Sequence, residues 1–224
     1  MKLENPSAKL FPSFNSNNNR FPRQNNCTTL SGPNRDTVSF TCLAKSWGYK
    51  PVVIARNVGL KRVYEVAHDL DTGFKIIRGS LPTTTHDIDF LHQLGTKTIV
   101  DIRDYLNETV RNRAHELGIE ILCPSRETED WEVRAAETIE EARHKGGVYV
   151  HCKEGIESTT AAVAIWEAKF RRRPLEDIIL ENAEITMDYY KPHKEGAIHF
   201  VVETLKCFHV INNSTAKRLL ENLT

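Results

Sequence analysis

Beyond residue 73 the chain alternates between short apolar runs and stretches in which apolar positions recur every three or four residues. Short apolar runs bounded by Gly or Pro are typical of strands that are buried in a sheet. Such runs predict strands over 74–78, 98–102, 119–123 and 148–150.

The periodic stretches between these runs predict helices, because a spacing of three to four residues places side chains on one helix face. The first helix is predicted to begin at Thr85, which can cap it, and to end at Gly95. Later helices are predicted over 106–117, 131–144, 159–170, 174–183, 196–208 and 213–222. Strands that alternate with helices of about 10–15 residues indicate βαβ units. We therefore predict an α/β fold, with a central, mostly parallel sheet flanked by helices.

The first 45 residues differ in composition from the rest of the chain. They carry two acidic side chains and six basic ones, contain eight Asn, and show no helix or strand period. Such a segment cannot bury enough apolar surface to offset the entropy lost on ordering. We expect residues 1–45 to be a disordered leader or a transit peptide. A linker or N-terminal extension (46–73), the main domain (74–210) and a C-terminal helical tail (211–224) are expected to follow.

The composition argues against several classes of function. Thirty acidic side chains balance 30 basic ones in 224 residues, so we expect no binding to nucleic acid or to a charged membrane surface. No apolar run reaches the roughly 18 residues of a membrane-spanning helix, and we expect no secretory signal. The five cysteines and nine histidines form no metal-ligand motif, so we expect no metal and no cofactor.

The segment 147–160 has the features of an anion-binding site with a nucleophile. A buried strand delivers Cys152 to a short polar loop, and a helix begins directly after that loop. Backbone N–H groups at a helix N-terminus, together with the helix dipole, stabilise an anion and favour a thiolate. Gly155 allows the tight turn that such a loop requires. The alternative interpretation of Cys152 is an inert cysteine of the core.

The same segment resembles the signature loop H-C-x-x-G-x-x-R-[S/T] of the cysteine-dependent protein tyrosine and dual-specificity phosphatases. The matching residues are His151, Cys152, Gly155 and Thr159, and a resemblance to small dual-specificity phosphatases extends over roughly 74–187. The resemblance implies a dual-specificity-phosphatase-like fold, with Cys152 as the nucleophile and His151 supporting its loop. It also implies that the phosphate-binding residues are Lys153, Glu154, Gly155, Ile156, Glu157, Ser158 and Thr159.

A second resemblance is to the phosphatase-like region of plant plastid NAD kinases. It is carried by Tyr-Val-His-x-Lys-Glu-Gly at 149–155 and by Trp166. Together with the basic, hydroxyl-rich leader, this resemblance implies a chloroplast or other plastid location. A cytoplasmic protein with a disordered tail is the alternative.

One position departs from the phosphatase motif. The arginine of the motif would fall at position 158, where this chain has Ser158. In the family that guanidinium binds two phosphoryl oxygens and stabilises the transition state, whereas serine offers one neutral hydroxyl. By analogy with other phosphoryl transfers, its loss costs on the order of 10³–10⁵ in rate. Glu154 and Glu157 add negative charge near the loop, which Lys153 opposes in part.

The family also requires an aspartate on a separate loop, which donates a proton to the leaving alcohol. Asp130 is the aspartate of the equivalent stretch, 124–131, and it also lies where a helix N-cap is expected. Capping and proton donation are therefore both open for Asp130, and Glu127 and Glu129 are possible substitutes as the acid.

Three functions are consistent with these residues. The first is a pseudophosphatase that binds a phosphorylated protein or a small phosphate ester with weak or no hydrolysis. The second is an active cysteine-dependent phosphatase of phosphate monoesters, in which a remote lysine or arginine replaces the missing guanidinium. The third is a structural or regulatory interaction module. Arg78 and Arg103 are candidates to reach the pocket, with surface salt bridges as their alternative role.

Overall fold

The structure is a computed structural model that describes residues 37–38, 49–68, 73–124, 130–187 and 194–224. The strands are β1 (Thr37–Val38), β2 (Lys50–Pro51), β3 (Ile54–Ala55), β4 (Tyr64–His68), β5 (Lys75–Gly79), β6 (Thr96–Asp101), β7 (Glu120–Leu122) and β8 (Gly147–His151). The helices are α1 (Thr85–Gln93), α2 (Glu108–Glu116), α3 (Trp131–Arg143), α4 (Glu157–Trp166), α5 (Leu175–Met187), α6 (Lys194–Cys207) and α7 (Asn213–Leu223). A π-helical turn, Glu167–Arg171, follows α4.

Six of these strands form the main sheet, in the order β2-β4-β5-β8-β6-β7. Strands β5, β8, β6 and β7 are parallel, whereas β4 and β2 add to one edge in antiparallel pairing. Strands β1 and β3 pair separately. The predicted α/β fold, with a mostly parallel sheet flanked by helices, is confirmed.

Alternate side chains of the central strands pack on opposite faces of the main sheet. Ile76 and Val148 belong to one apolar cluster, which includes buried residues of α3, α4, α5, α6 and α7. Ile77 and Tyr149 belong to a second cluster, which includes buried residues of α1 and α2. Strands covered on both faces carry apolar residues at consecutive positions, which is why continuous runs indicated them.

The cap of α1 lies one residue before the predicted one. Thr84 Oγ1 accepts a hydrogen bond from the backbone N–H of Asp87 at 3.2 Å, and the Asp87 carboxylate accepts one from the N–H of Thr84 at 3.0 Å. This reciprocal pair satisfies two donors at the start of the helix. The prediction of Thr85 as the cap is therefore wrong by one position, whereas Gly95, at φ +84°, follows the end of the helix as expected.

The two flanking segments contribute to the same structure. The segment 46–73, expected to be a linker or N-terminal extension, supplies β2 and β4 to the main sheet. The C-terminal segment 211–224 forms α7, whose Ala216 and Leu219 are buried in the larger apolar cluster. Apart from β1, the expected leader over 1–45 lies outside the described residues. No helix in the described part of the chain is both long enough and apolar enough to cross a bilayer.

Candidate active site

Cys152 lies at the carboxyl edge of the parallel strands. Gly79 of β5 and Asp101 of β6 each pair with His151, the last residue of β8. Cys152 therefore leaves the sheet between the ends of two neighbouring strands, at the edge where α/β proteins bind their ligands. Residues 152–159, which we call the cysteine loop, connect β8 to the first turn of α4.

The Cys152 side chain is buried among the hydrophobic residues of the protein interior. It is 5% exposed, yet it belongs to neither of the clusters that flank the sheet. Its sulfur interacts electrostatically with the guanidinium of Arg78. A sulfur outside both clusters and beside a buried guanidinium differs from that of a cysteine packed in the apolar core, which favours a functional role for Cys152.

Among the residues that the structure describes, no side chain caps the N-terminus of α4. The cap position is Ile156, which has no acceptor, so the N–H groups of the first turn receive no hydrogen bond from a capping side chain. Thr159, in that turn, has a buried Oγ1 without a hydrogen-bond partner in the described structure. Donors left unsatisfied at a helix N-terminus suit an anionic ligand.

Gly155 fits the cysteine loop closely against the end of β5. Its φ is +72°, and a Cβ at this position would lie 2.5 Å from the carbonyl carbon and oxygen of Gly79 and 2.9 Å from the backbone nitrogen of Ser80. The Leu81 N–H donates to the Lys153 carbonyl at 3.0 Å, which ties the same two segments together. The expectation that Gly155 permits a tight turn agrees with this geometry.

Arg78 holds the cysteine loop from inside the protein. Its guanidinium is fully buried and donates to the carbonyl of Gly155 at 3.0 Å, to Thr160 Oγ1 at 2.7 Å and to Asn182 Oδ1 at 2.7 Å. Burial lowers the pKa of Arg78, and acidic neighbours, among them Cys152, oppose that shift. Arg78 is thus a buried cation beneath the loop rather than one half of a surface salt bridge.

The Arg78 contacts continue into a buried polar network behind the loop. Asn182 Nδ2 donates to the Tyr49 hydroxyl at 3.0 Å, and that hydroxyl donates to the Glu167 carboxylate. Arg173 donates to the carboxylates of Glu167 and Glu181 at 2.6 and 2.7 Å. The network connects the cysteine loop to α5 and to the π-helical turn, which fixes the loop against two elements of the core.

His151 supports the loop through its backbone neighbours and not through contact with the sulfur. Its Nδ1 lies 3.2 Å from the Cys152 carbonyl oxygen, and its Nε2 lies 3.9 Å from Asp101 Oδ1. Burial lowers the pKa of His151, although Asp101 acts in the opposite direction. A buried, neutral imidazole at the end of β8 agrees with the supporting role implied for His151.

Ser158 is joined to Arg103, which comes from the end of a neighbouring strand. The Arg103 Nε donates to Ser158 Oγ at 2.7 Å, and the guanidinium lies 4.9 Å from the ring centre of Trp131. The Asp101 carboxylate accepts the N–H groups of Arg103 and Leu106 at 3.3 and 3.1 Å, which folds the β6–α2 loop around it. The strand end and this loop therefore bring an arginine to the position that lacks one in the motif.

The remaining residues of the cysteine loop differ in exposure. Lys153, Glu154 and Glu157 are exposed, whereas Ile156 is buried. Glu154 is partly neutralised, because Arg62 lies 3.7 Å from its carboxylate. The negative charge that the sequence places near the loop is therefore smaller in effect than its residue types indicate.

Asp130 is at the predicted N-cap position of α3 but does not cap the helix. Its side chain makes no capping hydrogen bond, and its Oδ1 lies 3.2 Å from the Arg134 Nε. Asp130 therefore occupies the predicted N-cap position, but the prediction that its side chain caps the helix is wrong. The same carboxylate, considered as a proton donor, is held in an ion pair at the surface. Glu127 and Glu129, the substitutes considered for it, lie outside the described residues.

Glu132, in the first turn of α3, is a titratable residue of this region that the sequence did not indicate. It is buried, and its Oε2 has no hydrogen-bond partner among the residues described. Burial raises the pKa of Glu132 to about 7, with Arg103 acting to lower it and Asp130 to raise it further. Residue type and spacing carry no signal for this carboxyl group, because its pKa depends mainly on burial, which only the fold creates.

Replacing Glu132 with Gln should change how stability depends on pH. A carboxyl group whose pKa is higher in the folded chain than in the unfolded chain lowers the free energy of unfolding as pH rises from about 4.5 to about 7. The wild type should therefore lose on the order of 1 kcal/mol relative to Glu132→Gln between pH 5 and pH 8, after allowance for solvent screening. The measurement is the melting temperature of both proteins at pH 5 and at pH 8. If the difference in melting temperature between the two proteins is the same at both pH values, the burial of the Glu132 carboxyl group is contradicted.

One grouping of metal-ligand side chains occurs in the described ranges, at Asp101, Asp104 and Cys123. Arg111 donates to the carboxylates of both Asp101 and Asp104. The guanidinium supplies the positive charge that a metal ion would otherwise bring to these carboxylates, so the group forms a structural ion pair beside the site.

The chain is similar to two solved structures at low sequence identity. TpbA of P. aeruginosa is 16% identical, with a TM-score of 0.47, over 70% of this chain and 98% of that one. The catalytic core of the PP-IP phosphatase SIW14 from S. cerevisiae, in complex with citrate, is 18% identical, with a TM-score of 0.46. This similarity covers 66% of this chain and 86% of that one.

The sequence also matches a family model. No curated protein matches this chain. The model described as "DSP-PTPase phosphatase fused to NAD+ Kinase" matches residues 50–194, which include β2, the cysteine loop and all of α5. This match spans more than half of the sequence, and it includes β4, which the sequence pattern did not predict. The chain therefore belongs to the family of dual-specificity-type phosphatase domains that are described as fused to NAD+ kinase.

Proposed function

We propose that this domain is a pseudophosphatase, which binds a phosphate monoester in the cysteine loop and hydrolyses it weakly or not at all. The ligand is the phosphate group of a phosphorylated protein or of a small phosphate ester. The observation that carries the proposal is the buried hydroxyl of Ser158 at the motif's arginine position, within a loop that otherwise keeps its anion-binding features.

Phosphate binding is supported by the hydrogen-bond donors in the first turn of α4. The first turn of this helix has no side-chain cap, Thr159 Oγ1 is unpartnered, and Gly155 at φ +72° allows the backbone to turn tightly. Arg78 draws the Gly155 carbonyl towards the interior at 3.0 Å, so this acceptor is turned away from an anion. Together these features stabilise an oxyanion next to Cys152.

Weak hydrolysis is supported by the lack of two catalytic groups among the described residues of the site, a proton donor for the leaving group and the guanidinium of the motif. Transfer of a phosphoryl group to Cys152 Sγ breaks the ester P–O bond, and the leaving alkoxide then needs a proton. The Asp130 carboxylate is paired with Arg134 at the surface, 3.2 Å away, and so is not placed as a free proton donor. Ser158 cannot bind two phosphoryl oxygens as a guanidinium fork does.

An active phosphatase is the second candidate, and one observation favours it. Arg103 lies 2.7 Å from Ser158 Oγ and supplies a guanidinium from outside the loop. In that mechanism Cys152 Sγ attacks phosphorus and forms a phosphocysteine, the ester P–O bond breaks, and the leaving alkoxide takes a proton from solvent water. Water then attacks phosphorus, breaks the S–P bond, releases inorganic phosphate and regenerates the thiolate.

The experiment that separates these functions compares wild type with Cys152→Ser. We expect p-nitrophenyl phosphate turnover near the uncatalysed background in both proteins, together with a rise in wild-type melting temperature in tungstate or phosphate. Robust turnover that Cys152→Ser abolishes would instead identify an active phosphatase. Absence of any anion-dependent shift in melting temperature would leave the interaction module as the function.

A further inference from the structure

The described residues near the cysteine loop include three arginines, and their contacts differ. Arg78 is fully buried, and its guanidinium makes three hydrogen bonds, to the loop, to α4 and to α5. Arg62 lies 3.7 Å from the carboxylate of Glu154, which offsets its charge. Arg103 is half-buried and donates through Nε to the neutral hydroxyl of Ser158.

The terminal nitrogens of Arg103 remain available to a ligand. They make no hydrogen bond within the described ranges, and no described carboxylate lies within 4 Å of this guanidinium. The hydrogen bond through Nε and the Trp131 ring, 4.9 Å away, restrict the orientation of the group. A guanidinium that is held in place loses less rotational freedom when it binds an anion.

The Ser158 hydroxyl is polarised by this guanidinium and can act as a donor in the loop. Its Oγ accepts from Arg103 Nε at 2.7 Å, which leaves the hydroxyl hydrogen free to donate to a ligand oxygen. A hydroxyl that accepts a hydrogen bond from a cation becomes a stronger donor. Ser158 and Arg103 thus offer adjacent donors at the start of α4.

We propose that Arg103 is the cationic phosphate ligand of the cysteine loop, supplied from the end of β6 in place of an arginine at position 158. This inference rests on the proposed phosphate-binding function and identifies the side chain that binds the charge of the ligand. The Asp101 carboxylate, which accepts the Arg103 backbone N–H, positions this residue.

The test is the affinity of the full chain for inorganic tungstate, measured by titration calorimetry. Arg103→Met should weaken binding about tenfold to a hundredfold, because a hydrogen-bonded cation is removed from the ligand. Arg103→Lys should retain part of the affinity, since it keeps the charge but not the fork. The matched control is Arg113→Met on α2, where Arg113 pairs with Asp89 and Glu116, and it should leave the affinity unchanged.

A rescue variant separates ligand binding from a merely structural role. Adding Ser158→Arg to Arg103→Met should restore tungstate affinity to at least the wild-type value, because the motif's own guanidinium is returned. The inference would be overturned if Arg103→Met bound tungstate as tightly as the wild type does. It would also be overturned if the double variant did not regain tungstate affinity although its melting temperature stayed near that of the wild type. Failure of the wild type itself to bind tungstate would instead overturn the proposed function.

Discussion

Replacing Ser158 with Arg should raise the rate of aryl phosphate hydrolysis about a thousandfold over the wild type. The substitution returns a planar guanidinium to a loop that already presents Cys152 and uncapped helix N–H groups. In related phosphoryl transfers an arginine contributes on the order of 10³–10⁵ in rate. Ser158→Arg removes the hydroxyl that accepts from Arg103 Nε, so the half-exposed Arg103 side chain can turn towards solvent and make room for the new guanidinium. The measurement is kcat/KM for p-nitrophenyl phosphate.

Two further variants show whether the gained activity has the expected origin. Ser158→Lys adds charge without a bidentate fork and should give a much smaller increase. Ser158→Arg combined with Cys152→Ser should return to background, because no phosphocysteine can form. A folded Ser158→Arg protein that binds tungstate but gains no turnover would show that the missing guanidinium does not limit hydrolysis.

Replacing Gly155 with Ala should abolish oxyanion binding and cost about 3–4 kcal/mol of stability. The new Cβ would lie 2.5 Å from the Gly79 carbonyl carbon and oxygen, which are backbone atoms and have little freedom to move. The left-handed φ of +72° adds strain of about 1–2 kcal/mol for a residue with a Cβ, and overpacking adds about 1–3 kcal/mol. Chemical denaturation measures the stability, and tungstate titration measures the binding.

The chain contains a matched control for this substitution. Gly73 has nearly the same φ, +73°, but a Cβ there would meet no atom within 4 Å. Gly73→Ala should therefore cost about 1–2 kcal/mol, from the backbone strain alone, and leave tungstate binding intact. Equal losses of stability in the two variants would mean that Gly155 does not lie against β5 as described.

Strands β5, β6, β7 and β8 could be predicted from the sequence, whereas β2 and β4, on one side of the main sheet, could not. Strands β5, β6 and β8 are covered by helices on both faces, so their apolar residues are consecutive and the pattern is strong. Strand β4 pairs in antiparallel fashion, with an irregularity between Glu65 and Ala67, and its side chains are mostly half-buried. Such a strand has neither a continuous apolar run nor a regular alternation.

The candidate site was predictable where its residues are contiguous in sequence. The order of strand, Cys152, Gly155 and helix indicates the cysteine loop without a structure. The contact between Arg103 and Ser158 joins residues 55 positions apart, and the contact between Arg78 and Asn182 joins residues 104 apart. These contacts depend on how the strands align in the sheet, and no local pattern in the sequence indicates that alignment.

The most direct measurement of the central claim is the alkylation of Cys152 by iodoacetamide, followed by mass spectrometry with and without tungstate. Cys123 and Cys207 are exposed and serve as controls within the same molecule. The proposed site predicts that native Cys152 reacts, and that tungstate slows its labelling but not that of Cys123 or Cys207. A Cys152 that stays unlabelled in the native protein, or that is labelled equally fast with saturating tungstate, would contradict an oxyanion bound at this sulfur.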